Sequence, residues 1–325
     1  MGKTRPLLNN RRILSRFLLF ILFFSPALIS ASFGQNREPE LRYTISVSDF
    51  PSQLLHVDLS CNGWNGDSIE FKMPEWMPGY YQIMDYGKKI KGFSAKDHTG
   101  EKLPVTTPDD HTWKIKVNNR MPFKLSYDVK ADRHFVANNW LDSAHAYIVT
   151  AGTFLYIKDH IKIPVSVTVI PYEKWNKIAT GLDPVPGKVN EFSAPDFDIL
   201  YDCPLLAGNL EEFSPFEIYG VKHRFIAYNP GNFDRKEFMG RLKRAVQVGV
   251  DIFGEVPYRQ YTFIGIGPGR GGIEHLNNAT VSFDGSGMDD KMSMISTLNF
   301  LAHEYFHNYN VKRIWPFELG PFDYD

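Results

Sequence analysis

A chain of 325 residues has room for two domains of ordinary size. Hydrophobic residues at 43% and charged residues at 22% exclude a disordered polymer, and a net charge of −1 offers no basic field for nucleic acid. The aromatic share of 14%, with 25 Phe and 16 Tyr, fits pleated, half-buried surfaces and so a β-rich portion.

The first 34 residues have a chemistry of their own. Lys3, Arg5, Arg11, Arg12 and Arg16 precede an apolar run over residues 17–24, followed by Pro26 and the small residues Ser30, Ala31 and Ser32. A positive start, a short apolar centre and a small-residue exit read as a secretory signal, and the run is too short for a comfortable membrane span. The expected location is periplasmic or secreted, with an anchor only if the signal stays uncleaved and no membrane span after its removal. Without the five cations, 31 basic residues face 37 acidic ones, about −6 for the exported chain.

From Arg42 to about Tyr228, short alternating runs are broken by turn residues. Tyr43-Thr-Ile-Ser-Val-Ser, Thr112-Trp-Lys-Ile-Lys-Val and Ile163-Pro-Val-Ser-Val-Thr-Val-Ile each predict a strand with one buried face. Clusters such as Asp97-His-Thr-Gly100 separate them. Many short strands at this spacing predict an antiparallel β-sandwich. The texture then changes. Phe238, Leu242, Ala245, Val246, Val250 and Phe253 recur at helical steps, and Gly254 and Pro257 stop them. A buried strand is predicted from Tyr261, then a second helix from about Asp290 to Ile314, with Ile295, Leu298, Ala302, Tyr305, Phe306 and Tyr309 near one face. The expected fold class is β followed by α+β, with residues 1–34 a signal, 35–220 the β-sandwich and 221–325 the second domain.

Cys61 and Cys203 are the only cysteines. Neither belongs to a CxxC pair or lies near a histidine, so a thiolate metal site is not expected. Export permits a disulfide, and two small buried side chains are an equal reading.

The chemistry concentrates late in the chain. His303 and His307 are four apart on the second predicted helix, which puts both imidazoles on one side, one turn apart, where they can share one Zn²⁺. Glu304, next to the first imidazole, is placed to take a proton from water acidified by the metal. Upstream, residues 267–272 (Gly-Pro-Gly-Arg-Gly-Gly) satisfy a dinucleotide-loop pattern, but strand and turn follow it where a helix would have to. A glycine edge at Gly271 and Gly272 suits the close approach of a peptide backbone, and Glu274 beside it can pair with an ammonium group.

Gly271-Gly-Ile-Glu-His275, followed some thirty residues later by HEYFHNYNVKRIWP, resembles the glycyl aminopeptidases of the M61 metallopeptidase family, relatives of the larger zinc aminopeptidases with a GxMEN motif. Met73-Pro-Glu-Trp-Met-Pro-Gly-Tyr-Tyr81, Lys91-Gly-Phe-Ser-Ala-Lys-Asp97 and Phe197-Asp-Ile-Leu-Tyr-Asp-Cys-Pro204 resemble its N-terminal β-domain. The resemblance spans roughly residues 42–325. It implies a β-sandwich before a thermolysin-like catalytic domain, one zinc ion on His303 and His307, Glu304 as general base and Glu274 as anchor for a free α-amine. The implied substrates are peptides with a free N-terminus, from which glycine or alanine is removed. In the family the third zinc ligand is a glutamate on the next helix, in a segment like SEGxT. None follows here, so the expectation is a C-terminally truncated catalytic domain whose third ligand lies beyond Asp325, with apolar faces of the 290–314 helix left without partners. Two competing readings are an inactive fragment whose β-domain is a binding module, and a thermolysin-type endopeptidase, which Glu274 disfavours because it would block a continuing peptide. The sequence gives no oligomeric state.

Overall fold

Alternation writes the first half of the molecule. The computed structural model describes residues 39–325, and the expected signal lies outside the described residues. In strand Leu54–Asn62, Leu55, Val57, Leu59 and Cys61 are buried while their neighbours face outward, as a period of two requires. This strand is central in a seven-stranded sheet ordered Asp183–Pro184, Glu191–Ala194, Val165–Ile170, Glu40–Asp49, Leu54–Asn62, Phe123–Lys130 and Ile90–Asp97. Its pairings are antiparallel except that of Glu40–Asp49 with Val165–Ile170, which is parallel. The antiparallel sandwich expected from the sequence therefore carries one parallel seam. Two four-stranded sheets complete this half, and one hydrophobic cluster joins all three and also takes in Ile226, Ile264, Ile266, Ile273 and Tyr324 from later in the chain.

Buried tyrosines tie these layers together. The hydroxyls of Tyr86, Tyr127, Tyr147 and Tyr201 donate to the carbonyls of Ala137, Thr153, Val136 and Phe154 at 2.8, 2.9, 2.7 and 2.9 Å, and Tyr43 donates to Leu155. Each ring fills core volume while its one polar atom finds a main-chain acceptor. Both cysteines are free and buried, and burial pushes the Cys61 thiol up to about 12.

A short helix, α1 (Phe197–Tyr201), is capped by the Asp196 carboxylate, which accepts from Ile199 N. Beyond it lies a six-stranded sheet. Leu210–Glu212, Val221–Tyr228, Gln260–Gly265, Asn278–Val281 and Gly272–Glu274 lie side by side, with Phe216–Ile218 also paired to Val221–Tyr228. The three middle strands are parallel, joined first by helix α2 (Arg235–Phe253), whose Phe238, Leu242, Val246 and Val250 form the expected buried stripe. Gly254 ends α2 in the left-handed conformation, φ 76°. Helix α3 (Lys291–Phe306) buries Met294, Leu298, Leu301, Glu304 and Tyr305. Met294, Leu298, Leu301 and Tyr305 join α2 and the sheet in a second hydrophobic cluster, so the expectation of unpartnered apolar faces fails for that face, while Met292 is exposed and Ile295 and Phe306 are only partly covered.

One further expectation changes. The second helix was expected to reach Ile314 but stops at Phe306, because the i→i−4 bonds that follow are interrupted. Asn310 N, Val311 N and Arg313 N still bond four back, but Asn308 N and Tyr309 N bond three residues back, to Tyr305 and Phe306, and Lys312 N and Ile314 N five back, to His307 and Tyr309. The side chain of Asn308 also caps Tyr305 O at 2.5 Å. The segment after Trp315, rich in Pro and Gly, has only one 3₁₀ turn, Phe317–Leu319, yet its end is firmly held. Tyr324 is 1% exposed, stacks on Trp76 with ring centroids 5.4 Å apart, and bonds through its carbonyl to Glu75 N at 2.8 Å. Among the described residues no helix is long and apolar enough to cross a membrane.

Candidate active site

Helix α3 delivers the two imidazoles as its spacing requires, although His307 stands at the C-cap rather than inside the helix. The Nε2 atoms of His303 and His307 are 3.1 Å apart. His307 Nδ1 lies 2.9 Å from the carbonyl of Asn310, which can only accept, so the proton sits on Nδ1 and Nε2 presents its lone pair. Two ring nitrogens this close can both reach one ion at the usual Zn–N length of about 2.0–2.1 Å, and the donor chemistry suits zinc. Ligand atoms of Glu274, Glu304 and His307 also lie within 4.8 Å of one another.

Glu304 turns inward, 5% exposed, and burial together with the charge of Glu274 pushes its carboxyl up to about 7. The space it occupies exists because Gly272 has no side chain. A Cβ there would stand 2.9 Å from Glu304 Cδ and 2.8 Å from Phe300 Cζ. Gly272 begins the strand Gly272–Glu274, which pairs on one side only, with Asn278–Val281, and so leaves a free backbone edge. The glycine edge of the sequence is an edge in space.

Glu274 is 6% exposed and is overlooked by a loop of the β-region, residues 76–81. Gly79, at φ 95°, passes so close that a Cβ would stand 2.4 Å from Ile273 Cγ2 and 3.2 Å from Glu274 O. Tyr81 follows with φ 53°, costly for a bulky residue, and its ring is half exposed near Lys312 and Glu274. A cavity of about 840 Å³ opens beside this loop, lined by Trp76, Tyr81, Asp202, Leu276, Lys312 and Phe322 among others. It borders the turn after Glu274 rather than the histidine pair.

The structure brings together His303, Glu304, His307, Gly272 and Glu274, with Gly271 at φ 91° on the rim. The later carboxylate of Asp325 is engaged elsewhere, by Lys72 and by the Tyr156 hydroxyl at 2.7 Å. Reasoning from the sequence gave no role to Asp202, Lys312 or Arg313. An aspartate inside the apolar run Ile-Leu-Tyr-Asp-Cys-Pro-Leu-Leu, and a Lys-Arg pair just after a helix that buries its neighbours, are the signals that mark them.

Two imidazoles on a helix beside a β-edge are a donor set that suits zinc, and the comparisons point to a family of metallopeptidases. The M61 N-terminal domain model matches residues 42–209 and the M61 glycyl aminopeptidase model matches residues 296–325. The chain belongs to the M61 peptidase family. A crystal structure of an aminopeptidase N family protein from Idiomarina loihiensis superposes with a TM-score of 0.81 at 26% identity, over 88% of this chain and 50% of that one. Two others share the fold at 13% identity: an M1 zinc metallopeptidase from Deinococcus radiodurans (TM-score 0.50, 82% of this chain, 64% of that one) and aminopeptidase A from Legionella pneumophila, in complex with aspartic acid (0.54, 82%, 34%). The chain thus spans between about a third and two thirds of their lengths. No curated protein matches it in sequence.

Proposed function

We propose that this chain carries the substrate-binding and base-bearing part of a zinc-dependent aminopeptidase that removes small N-terminal residues, glycine or alanine, from peptides. The carrying observation is the meeting of Glu304, Glu274 and the two imidazoles at one open strand edge. His303 and His307 hold the metal. Zinc, when bound, polarises the scissile carbonyl and brings the pKa of water towards about 7. Glu304, in a site that disfavours its charge, accepts the proton of the attacking water and passes it to the leaving amine. Glu274 pairs with the substrate's α-ammonium, so that only chain ends fit. The backbone of Gly271 and Gly272 lies alongside the peptide, and the bare Cα of Gly272 leaves room for Glu304 behind it. The preference for small residues is supported by the match to the glycyl aminopeptidase model. The division into a β-domain over 35–220 and a catalytic domain over 221–325 is supported by the N-terminal domain model, which ends at residue 209, and by a second hydrophobic cluster that begins at Phe213, although the first cluster also takes in Ile226, Ile264, Ile266 and Ile273 from the second sheet. Export is proposed from the composition of residues 1–34 alone.

The test is release of glycine or alanine from dipeptides and tripeptides by the zinc-supplemented protein, with Glu304→Gln alongside. We expect Glu304→Gln to lose about 10²–10⁴-fold in kcat, with zinc still bound. Equal turnover by the variant, or equal cleavage of N-acetylated peptides, would overturn the reading.

A further inference from the structure

The mechanism above uses Glu274 but does not explain what fixes it. Glu274 ends a three-residue edge strand with a free outer side, a poor support for a group that must meet a substrate to within a fraction of an ångström. The turn that follows it is gripped from two directions. From the β-region comes Asp202, the C-cap of α1. Its Oδ1 accepts from His275 Nδ1 at 3.0 Å, its Oδ2 from Leu276 N at 2.6 Å, and its carbonyl from Asn278 Nδ2 at 3.2 Å. From the coil after the histidine pair comes Arg313, whose Nη1 donates to Leu276 O at 3.0 Å and to Asn308 O at 2.6 Å. Lys312 closes the ring, with its Nζ 2.8 Å from Asp202 Oδ1 and its backbone N bonded to the carbonyl of His307 at 3.0 Å.

The consequence is one continuous path of bonds. It runs from His307 through Lys312 to Asp202, and from Asp202 into the residues next to Glu274. The side chains of Asp202, His275 and Lys312 are 5%, 0% and 8% exposed, so water offers them few substitute partners. A buried ion pair of Asp202 with Lys312, hydrogen-bonded to the His275 ring, resists slipping because a slip leaves a charge unpaired.

We propose that Asp202 is a positioning residue, clasped by Lys312, that sets the distance between the amine anchor Glu274 and the histidine pair. It touches no substrate and acts through the turn at 275–278. The proposal rests on the aminopeptidase reading for its kinetic consequence but not for its structural one.

The test compares the full-length zinc-loaded protein with Asp202→Asn, which keeps the shape and removes the charge. Two readouts are taken: kcat and KM for glycyl and alanyl p-nitroanilides, and amide hydrogen exchange across residues 272–281. The expected result is a KM raised about tenfold with kcat changed much less, and exchange about tenfold faster in that segment with the strand Val221–Tyr228 unmoved. A residue that only stabilises the fold would lower kcat with the folded fraction and leave KM alone, and that outcome overturns the proposal. If Asp202→Asn does not fold, the double variant Asp202→Asn/Lys312→Met leaves no charge unpaired, and the same shifts are expected of it. If the unaltered protein releases no amino acid, the aminopeptidase reading falls and exchange alone decides. Loosening confined to 272–281 supports the clasp, and unchanged protection there removes it.

Discussion

The two halves of the molecule bury polar groups in opposite ways. In the β-region the buried oxygens that join layers are tyrosine hydroxyls, neutral at every ordinary pH and each donating to a main-chain carbonyl. Around the strand edge and α3 the buried groups are ionisable and placed against one another: Asp202 with Lys312 and His275, and Glu304 against Glu274. Burial pushes the carboxyls of Asp202 and Glu304 in the same upward direction. Lys312 and His275 then outweigh burial at Asp202 and hold it at about 2, whereas Glu274 adds to burial at Glu304 and leaves it at about 7. One carboxylate is thereby a fixed charge and the other a proton acceptor near neutral pH. The tyrosines use buried polarity as neutral fastening, Asp202 and Lys312 use it as charged fastening where the two halves meet, and Glu304 beside them uses it as reactivity.

That contrast can be broken by experiment, beginning where the effect is largest. Lys312→Met leaves the Asp202 carboxylate buried without its cation and is expected to cost about 3–5 kcal/mol in urea unfolding. A loss below about 1 kcal/mol would mean that the pair is solvated after all. Next is His223, whose ring donates or accepts at 2.8 Å with Tyr258 in the second cluster and whose pKa burial lowers from 6.5 to about 4. The folded state resists protonation more than the unfolded chain does. Its contribution is therefore whole above pH 6.5 and is lost as pH falls from 6.5 towards 4, to a limit of about 3 kcal/mol. Urea midpoints measured across that window should fall, and a flat profile would show that the ring is hydrated. Gly272→Ala is expected to displace the Glu304 carboxylate and lower kcat about 10–100-fold while the thermal midpoint moves by only a few degrees. Smallest is Tyr127→Phe, which leaves Thr153 O without its hydroxyl donor, for about 1–2 kcal/mol and no change in any pH profile.

The histidine pair and Glu304 were legible because helical spacing converts directly into geometry: four residues make one turn. The glycine edge was legible because bare backbone has few other uses beside a glutamate. The end of α3 was not, since the mixture of three-, four- and five-residue bonds after His307 depends on where Asn308 and Arg313 find partners, and sequence periodicity carries no trace of it. The clasp was hidden for a simpler reason. Asp202 and Lys312 are 110 positions apart, and although each sits in an apolar context, nothing in the sequence names one as the other's partner. The sandwich was visible in its alternation, yet its parallel seam joins Leu41 to Val165 across the chain, beyond the reach of any local pattern.

The return of the chain to the β-region has a mechanical meaning. After building the second sheet, α2 and α3, the backbone comes back to seat Tyr324 beneath Trp76 and to pair Asp325 with Lys72. The same sheet already presses on the β-region along a broad front: Ile226, Ile264, Ile266 and Ile273 enter the first cluster, Tyr228 stacks on His145, and Asp202 grips the turn after Glu274. A body pinned over an area cannot rock as one hung from a single hinge can. The strand edge that would receive a peptide is thereby kept at a nearly constant angle to the loop at 76–81.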